Sequence, residues 1–140
     1  MSTYTGKPVT VAHSAEQLFD KISNLNAFQE RLEQLPEEAK AKLGDVRFTD
    51  DEIIINAPAV GELRFKIVEK IRPELVKLTA ENSPVPFYIS MKLKPESEER
   101  TEMSTELDVE IPAMLRPLVG SKMQEAADKF SEMFQNFFGA

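Results

Sequence analysis

The sequence predicts an α+β fold in which an antiparallel sheet receives one long C-terminal helix. Three observations predict it. From Pro112 to Phe138 the apolar residues recur in steps of three and four, the period of a helix. From Val46 to Ile111 the period is two, the period of strands with one wet and one dry face. The order of these segments is strand, helix pair, about six strands and long helix, which argues against a parallel α/β sheet.

The elements follow in order. Pro8 to His13 alternates, with Val9 and Val11 on one face, and reads as a first strand. Ser14-Ala15-Glu16-Gln17 has the spacing of a capping box, and the helix it opens buries Leu18, Phe19, Ile22 and Leu25. Asn24 and Asn26 weaken that helix, because short amides compete for backbone hydrogen bonds. A second helix carries Phe28, Leu32 and Leu35. Pro36, Glu37 and Glu38 suit the first turn of one more short helical piece, and Gly44 can close it.

After Gly44 the strands begin. Val46 and Phe48 alternate with Arg47 and Thr49, Asp50-Asp51 is a turn, and Ile53 to Ile55 is a β-branched run. Pro58 to Gly61 breaks it. Leu63, Phe65, Ile67 and Ile71 then share a face opposite Glu62, Arg64, Lys66, Lys70 and Arg72. Pro73 turns the chain into a strand with Val76, Leu78 and Ala80, and Asn82-Ser83-Pro84 breaks that one. Phe87, Ile89, Met91 and Leu93 oppose Tyr88, Ser90, Lys92 and Lys94. Past a loop at Glu96 to Glu99, Met103, Thr105, Leu107, Val109 and Ile111 oppose Glu102, Ser104, Glu106, Asp108 and Glu110. A hairpin of these two strands would pair lysines with glutamates on a solvated face. The long helix sets Met114, Leu115, Leu118, Val119, Met123, Ala126, Ala127, Phe130, Met133, Phe134, Phe137 and Phe138 on one side. Pro117 and Gly120 near its start imply that it bends there, or properly begins there. Phe137 and Phe138 could dock on the short helices or form a dimer patch.

Composition bounds the function. The 140 residues fit a single domain, 1–140, with a substantial core. The net charge of −7 and pI of about 4.8 argue against nucleic acid and anionic membrane surfaces as partners. There is no cysteine, so disulfides and thiol chemistry are excluded. The opening residues lack the apolar core of a signal peptide, and no run approaches the roughly eighteen apolar residues of a membrane span, so a cytoplasmic protein is expected. One histidine, His13, cannot build a histidine-rich metal site, and no calcium loop or phosphate-binding glycine loop occurs. No catalytic set, metal or cofactor is therefore assigned.

The opening VTVAHSAEQLFDKISNL…LEQLP resembles the first strand and helix pair of START-like domains, the SRPBCC or helix-grip superfamily. The end, DVEIPAMLRPLVGSKMQEAADKFSEMFQNFF, resembles their last strand and gripping helix. The resemblance covers nearly the whole chain and rests on element order and hydrophobic pattern. It implies a curved sheet of about seven strands folded around the C-terminal helix, with an apolar cavity between them. That superfamily includes pollen-allergen-like carriers, polyketide cyclases and ubiquinone-binding chaperones.

The inward alternation nominates as cavity lining Phe65, Ile67, Phe87, Ile89, Met91, Met103 and Leu107 from strands, with Met114, Leu118 and Met123 from the helix. An ordinary filled core would show the same pattern. Glu69 is in step with Phe65 and Ile67, so strict alternation points it inward, where it could act as acid, base or polar anchor. A bulge after Phe65 would instead put Val68 inside and Glu69 outside. Thr105 is the other inward polar group, although packing alone accounts for a threonine in a strand. Tyr88 and Asn56 would join only if register slips. The leading expectation is binding of a small, largely apolar molecule, such as a lipid, a quinone or a polyketide-like compound, without catalysis. The alternatives are a polyketide cyclase or aromatase-like enzyme using Glu69, and a protein-interaction module with a filled core. Oligomeric state is not legible.

Overall fold

A computed structural model of the chain describes residues 2–43, 45–57, 61–83 and 85–138. Two short strands open it, β1 (Ser2–Thr5) and β2 (Val9–Val11). Three helices follow, α1 (Ala15–Ser23), α2 (Leu25–Gln34) and α3 (Glu37–Leu43). The rest of the sheet is β3 (Val46–Phe48), β4 (Glu52–Ala57), β5 (Gly61–Ile71), β6 (Leu75–Ala80), β7 (Phe87–Ser97) and β8 (Arg100–Val109). The last element is α4 (Arg116–Phe138). The sheet has eight antiparallel strands in the order β1-β8-β7-β6-β5-β4-β3, with β2 also on β8. The element order is the expected α+β one, with one strand more than the alternation revealed.

Local chemistry explains the breaks. Ser14 accepts the Gln17 backbone N–H at 3.2 Å while the Gln17 side chain accepts the Ser14 N–H at 3.4 Å, so the capping box forms. The helix stops at Ser23, and Asn24 separates it from α2. Gly61 opens β5 at φ 89°, a region that a side chain disfavours. Asn82 accepts the Arg64 N–H at 3.0 Å and donates to the Glu62 carbonyl at 2.7 Å, which ties the end of β6 to β5. Lys92 reaches Glu106 at 2.9 Å on the wet face of the β7–β8 hairpin. The expected cap at Gly44, the Pro58 break and Pro84 lie outside the described residues.

Register places the inner face in rows. Phe48, Ile53, Phe65 and Ala80 form one row. Phe87 and Val109 pair at the corresponding end of β7 and β8. Ile67, Leu78, Ile89, Leu107 and Tyr4 form the next, and Val76, Met91 and Thr105 the one after. Leu93, Met103 and Val9 follow, then Thr101 and Val11. α1 packs on β6 and β7, α2 on β3, and α4 on β8, β1 and β2. The helix runs antiparallel to β8. Its Gly120 lies against Tyr4, Gln124 donates to the Thr5 carbonyl at 2.9 Å, and Ala127 and Ser131 sit on Gly6. Phe137 and Phe138 dock on α2, with ring centroids 5.4 and 5.6 Å from Phe28.

Two elements differ from the sequence expectation. β1 is built from Ser-Thr-Tyr-Thr, in which only Tyr4 supplies a large apolar group, so alternation does not announce it. α4 begins at Arg116, not Pro112, and Pro117 falls in its first turn. There its missing N–H costs no helical bond, so the residue marks a beginning and not a bend.

Candidate functional site

The twelve candidate cavity residues separate into three groups. Phe65, Ile89, Met91, Met103, Thr105 and Leu107 are at most 1% exposed, and Phe87 is nearly as buried. These side chains touch neighbours on all sides, and Phe65 meets Phe87 edge to face at 5.1 Å. Ile67 and Met123 are half-buried. Glu69, Met114 and Leu118 face solvent.

The position of Glu69 has a backbone cause. The β5–β6 register shifts between Ile67 and Glu69, which is a bulge, so Glu69 pairs with Lys77 on the outer face. Ile71 also moves to the outer face, opposite Leu75. Val68 is 54% exposed and does not turn inward, because this end of β5 runs past the core. Met114 and Leu118 are exposed because the stripe continues into a segment that precedes the packed part of α4. Met114 is 87% and Leu118 68% exposed, with Leu115 exposed between them.

Where the packing loosens is informative. Among the described residues, the half-buried apolar side chains bordering the core are Tyr4, Val46, Ile55, Leu63, Ile67 and Ala80 from the sheet, Val85 from the loop before β7, Leu32 and Leu35 at the end of α2, and Val119, Met123 and Ala126 from α4. The helix residues belong to the half of α4 that starts beside Ile111, where the Glu110 N–H meets the Pro86 carbonyl at 3.0 Å. In the sheet, Ile55 and Leu63 lie one inner row beyond Ile53 and Phe65, and Ala80 lies in the Phe65 row. The C-terminal end of α4 packs into the aromatic cluster of Phe28, Phe48, Phe134, Phe137 and Phe138. The grip is therefore tight at the C-terminal end of α4 and apolar but incompletely covered at its beginning. This mouth, and not the fully packed centre, is the candidate site.

The polar inventory of the interior is short. Among the described residues the buried polar side chains are Ser90, Thr101, Thr105 and Ser131. Thr101 donates to the His13 carbonyl at 2.8 Å, and Ser131 to the Ala127 carbonyl at 3.4 Å. The Thr105 hydroxyl has no hydrogen-bond partner among the described residues. His13 lies outside this interior, edge-on to the Phe138 ring at 6.3 Å. Its imidazole is held below the ordinary histidine value, first by burial and then by the positive charges of Lys21 and Arg31, against a hydrogen bond to the Phe138 backbone. A polar cleft of about 660 Å³ beside His13 is bordered by Ser14, Gln17 and the β7–β8 turn. A shallower groove of about 480 Å³ lies on the outer face near Ile71, Leu75 and Lys92. Among the described residues, no acidic or histidine cluster suited to a metal ion occurs, and no helix is long and apolar enough to cross a membrane.

No protein-family model matches the sequence, and no curated protein matches it. Solved structures do match. A START superfamily protein from Mycobacterium smegmatis is 14% identical with a TM-score of 0.57, over 93% of this chain and 94% of that one. A Bacillus thuringiensis protein is 12% identical with a TM-score of 0.64, over 98% and 96%. The Aha1 dimer from Colwellia psychrerythraea is 14% identical with a TM-score of 0.55, over 99% and 98%. Identities this low concern the fold alone, and they cover almost the full length of each partner. With a strand, a helix pair, an antiparallel sheet and a C-terminal helix laid along its edge, the chain has a START-like, helix-grip fold.

Proposed function

We propose that the chain binds a small, largely apolar molecule at the mouth of the grip, between the first half of α4 and the neighbouring end of the sheet. The observation that carries this reading is the change in packing along α4. Val119, Met123 and Ala126 in its first half are half-buried, while Phe130, Phe134, Phe137 and Phe138 in its second half are buried. Burial of apolar area at about 25 cal/mol per Å² supplies the affinity. Met123 at the mouth, and Met91 and Met103 deeper in, are unbranched and can change rotamer to admit a guest. The START-like fold supports the same reading by analogy. The net charge of −7 supports a small-molecule partner over a nucleic acid.

Two other readings compete. An enzyme of the cyclase type would need a carboxylate in the grip, and Glu69 stands on the outer face beside Lys77. A protein-interaction module draws support from the filled centre and from the exposed Met114, Leu115 and Leu118.

Titration with Nile red, a neutral apolar dye, separates these readings. The parent chain is expected to brighten the dye saturably. Met123→Lys, which sets a charge at the mouth, should weaken binding about tenfold. Leu75→Lys in the outer groove should leave it unchanged. A parent chain that leaves the dye dark, or a Met123→Lys chain that binds it equally well, contradicts the proposal.

A further inference from the structure

We infer that the end of the sheet where α4 begins docks on a lipid bilayer, with Met114, Leu115 and Leu118 entering the interface and Arg116 and Lys122 meeting anionic headgroups. The inference goes beyond the ligand-binding reading and does not depend on it.

The first observation is exposed apolar area held on a bonded turn. Met114, Leu115 and Leu118 are 87%, 46% and 68% exposed. Pro112, Ala113 and Pro117 are exposed beside them. The Leu115 N–H meets the Pro112 carbonyl at 2.9 Å, and the Leu118 and Val119 N–H groups both meet the Leu115 carbonyl at 3.0 Å. The backbone is therefore committed, and the apolar side chains are presented outward with nothing of the described chain over them. A contiguous apolar surface of this kind marks a contact with something outside the molecule.

The second observation is how charge is laid out along the sheet. Between Glu110 and Glu125 the only charged residues are Arg116 and Lys122, and both are exposed. Residues 82–86, tied to this segment by the Glu110 N–H on the Pro86 carbonyl, carry no charge. The acids at the strand ends here, Asp45, Glu62, Glu81 and Glu110, stand against Arg47, Arg64, Arg116 and Lys122, and Glu62 is paired with both Arg47 and Arg64. This end is close to neutral. The opposite end is acidic. The β3–β4 turn brings Asp50, Asp51 and Glu52 there, and the β7–β8 turn brings Glu96, Glu98, Glu99 and Glu102 against Lys94 and Arg100. The ten residues of β8 separate the two ends by about 30 Å. That is several times the roughly 8 Å over which charge is felt at physiological salt. The net charge of −7, which taken whole argues against an anionic membrane, thus lies largely where a bilayer on the α4 side does not sense it.

The third observation selects the occupant. A second copy related by a twofold axis would set Arg116 and Lys122 on both sides of the contact, like charge against like. A bilayer accepts the apolar side chains below the headgroups while the stems of Arg116 and Lys122 carry their charges up to the phosphates.

The test is flotation of the full chain with vesicles of phosphatidylcholine, with and without about one third phosphatidylglycerol, at physiological salt. The chain is expected to float with the mixed vesicles and to bind pure phosphatidylcholine about tenfold more weakly. Arg116→Gln with Lys122→Gln should bring the mixed-vesicle affinity down to that lower level. Met114→Ser with Leu118→Ser should weaken binding to the mixed vesicles at least about tenfold, with the thermal midpoint within about 2 °C of the parent because both side chains are exposed. Val68→Ser, at an equally exposed apolar residue toward the far end of β5, should leave binding unchanged. A parent chain that floats with neither vesicle, a Met114→Ser, Leu118→Ser chain that floats like the parent, or an equal loss in Val68→Ser overturns the inference. So does a dimer in sedimentation that the Met114→Ser, Leu118→Ser chain no longer forms, which would give the surface to a second copy. Flotation involves no dye, so its failure leaves the ligand-binding reading standing, and a dark Nile red titration leaves the docking surface standing.

Discussion

Replacing Phe28 by alanine is expected to lower the stability of the fold by about 3–5 kcal/mol. Phe28 is 2% exposed and is the point at which three elements meet. Its ring stacks on Phe48 of β3 at 5.3 Å and approaches Phe137 and Phe138 of α4 at 5.4 and 5.6 Å, with Phe134 at 6.4 Å. Truncation removes the ring's own burial and leaves a void shared by rigid aromatic neighbours, which cannot close on it. Arg31, on the same helix as Phe28, donates to the Phe137 carbonyl at 2.7 Å, and its guanidinium lies 5.2 Å from the centre of the Phe138 ring. Urea unfolding reads the effect as a fall in midpoint at constant slope. Leu118→Ala, on the exposed side of α4, serves as the contrast and should change stability by no more than about 0.5 kcal/mol. A Phe28→Ala chain within about 1 kcal/mol of the parent would mean that the aromatic cluster does not anchor the helix.

The second large effect belongs to Gly6. A Cβ built there would collide with the Ala127 carbonyl oxygen and stand 2.6 Å from the Ser131 Oγ. The helix therefore lies directly on the backbone between β1 and β2, at a distance only a residue without a side chain allows. Gly6→Ala forces α4 away from the sheet edge and is expected to cost about 1–3 kcal/mol. Removing the Ser131 hydroxyl should not rescue it, because the nearer obstacle is backbone. Thermal unfolding of Gly6→Ala, Ser131→Ala and the double variant checks this. A double variant restored to the parent midpoint would place the obstacle in the serine instead.

Much of the fold is legible in the sequence because burial and period coincide. Val76 and Leu78, Phe87 to Leu93, and Met103 to Val109 alternate in the sequence and, apart from the buried Ser90, alternate in burial. The Ser14–Gln17 box forms because its two partners are fixed by local spacing. The failures are those of pattern reading. Ser2–Thr5 carries too little apolar content to announce a strand, and is held in place by pairing with β8. A bulge costs one residue of register and leaves no composition signal, so Glu69 and Ile71 change face between one reading and the other. The stripe from Met114 to Leu118 is apolar at helical spacing, but no spacing reports that the sheet beneath it has ended. The loosening of the core at one end is likewise invisible in sequence, since Met123 and Met133 occupy the same stripe. One is half-buried at the mouth and the other buried among phenylalanines. Of the polar candidates, Thr105 was readable as inward from alternation, but its lack of a partner is a property of the packed interior alone.

The measurement that tests the central claim most directly is a methyl NMR titration of the full chain with decanol. Binding at the mouth predicts shifts concentrated on Leu63, Val85, Val119 and Met123, with the methyls of Ile71 and Leu75 in the outer groove unmoved. A spectrum that does not respond, or one in which only the outer groove responds, contradicts it.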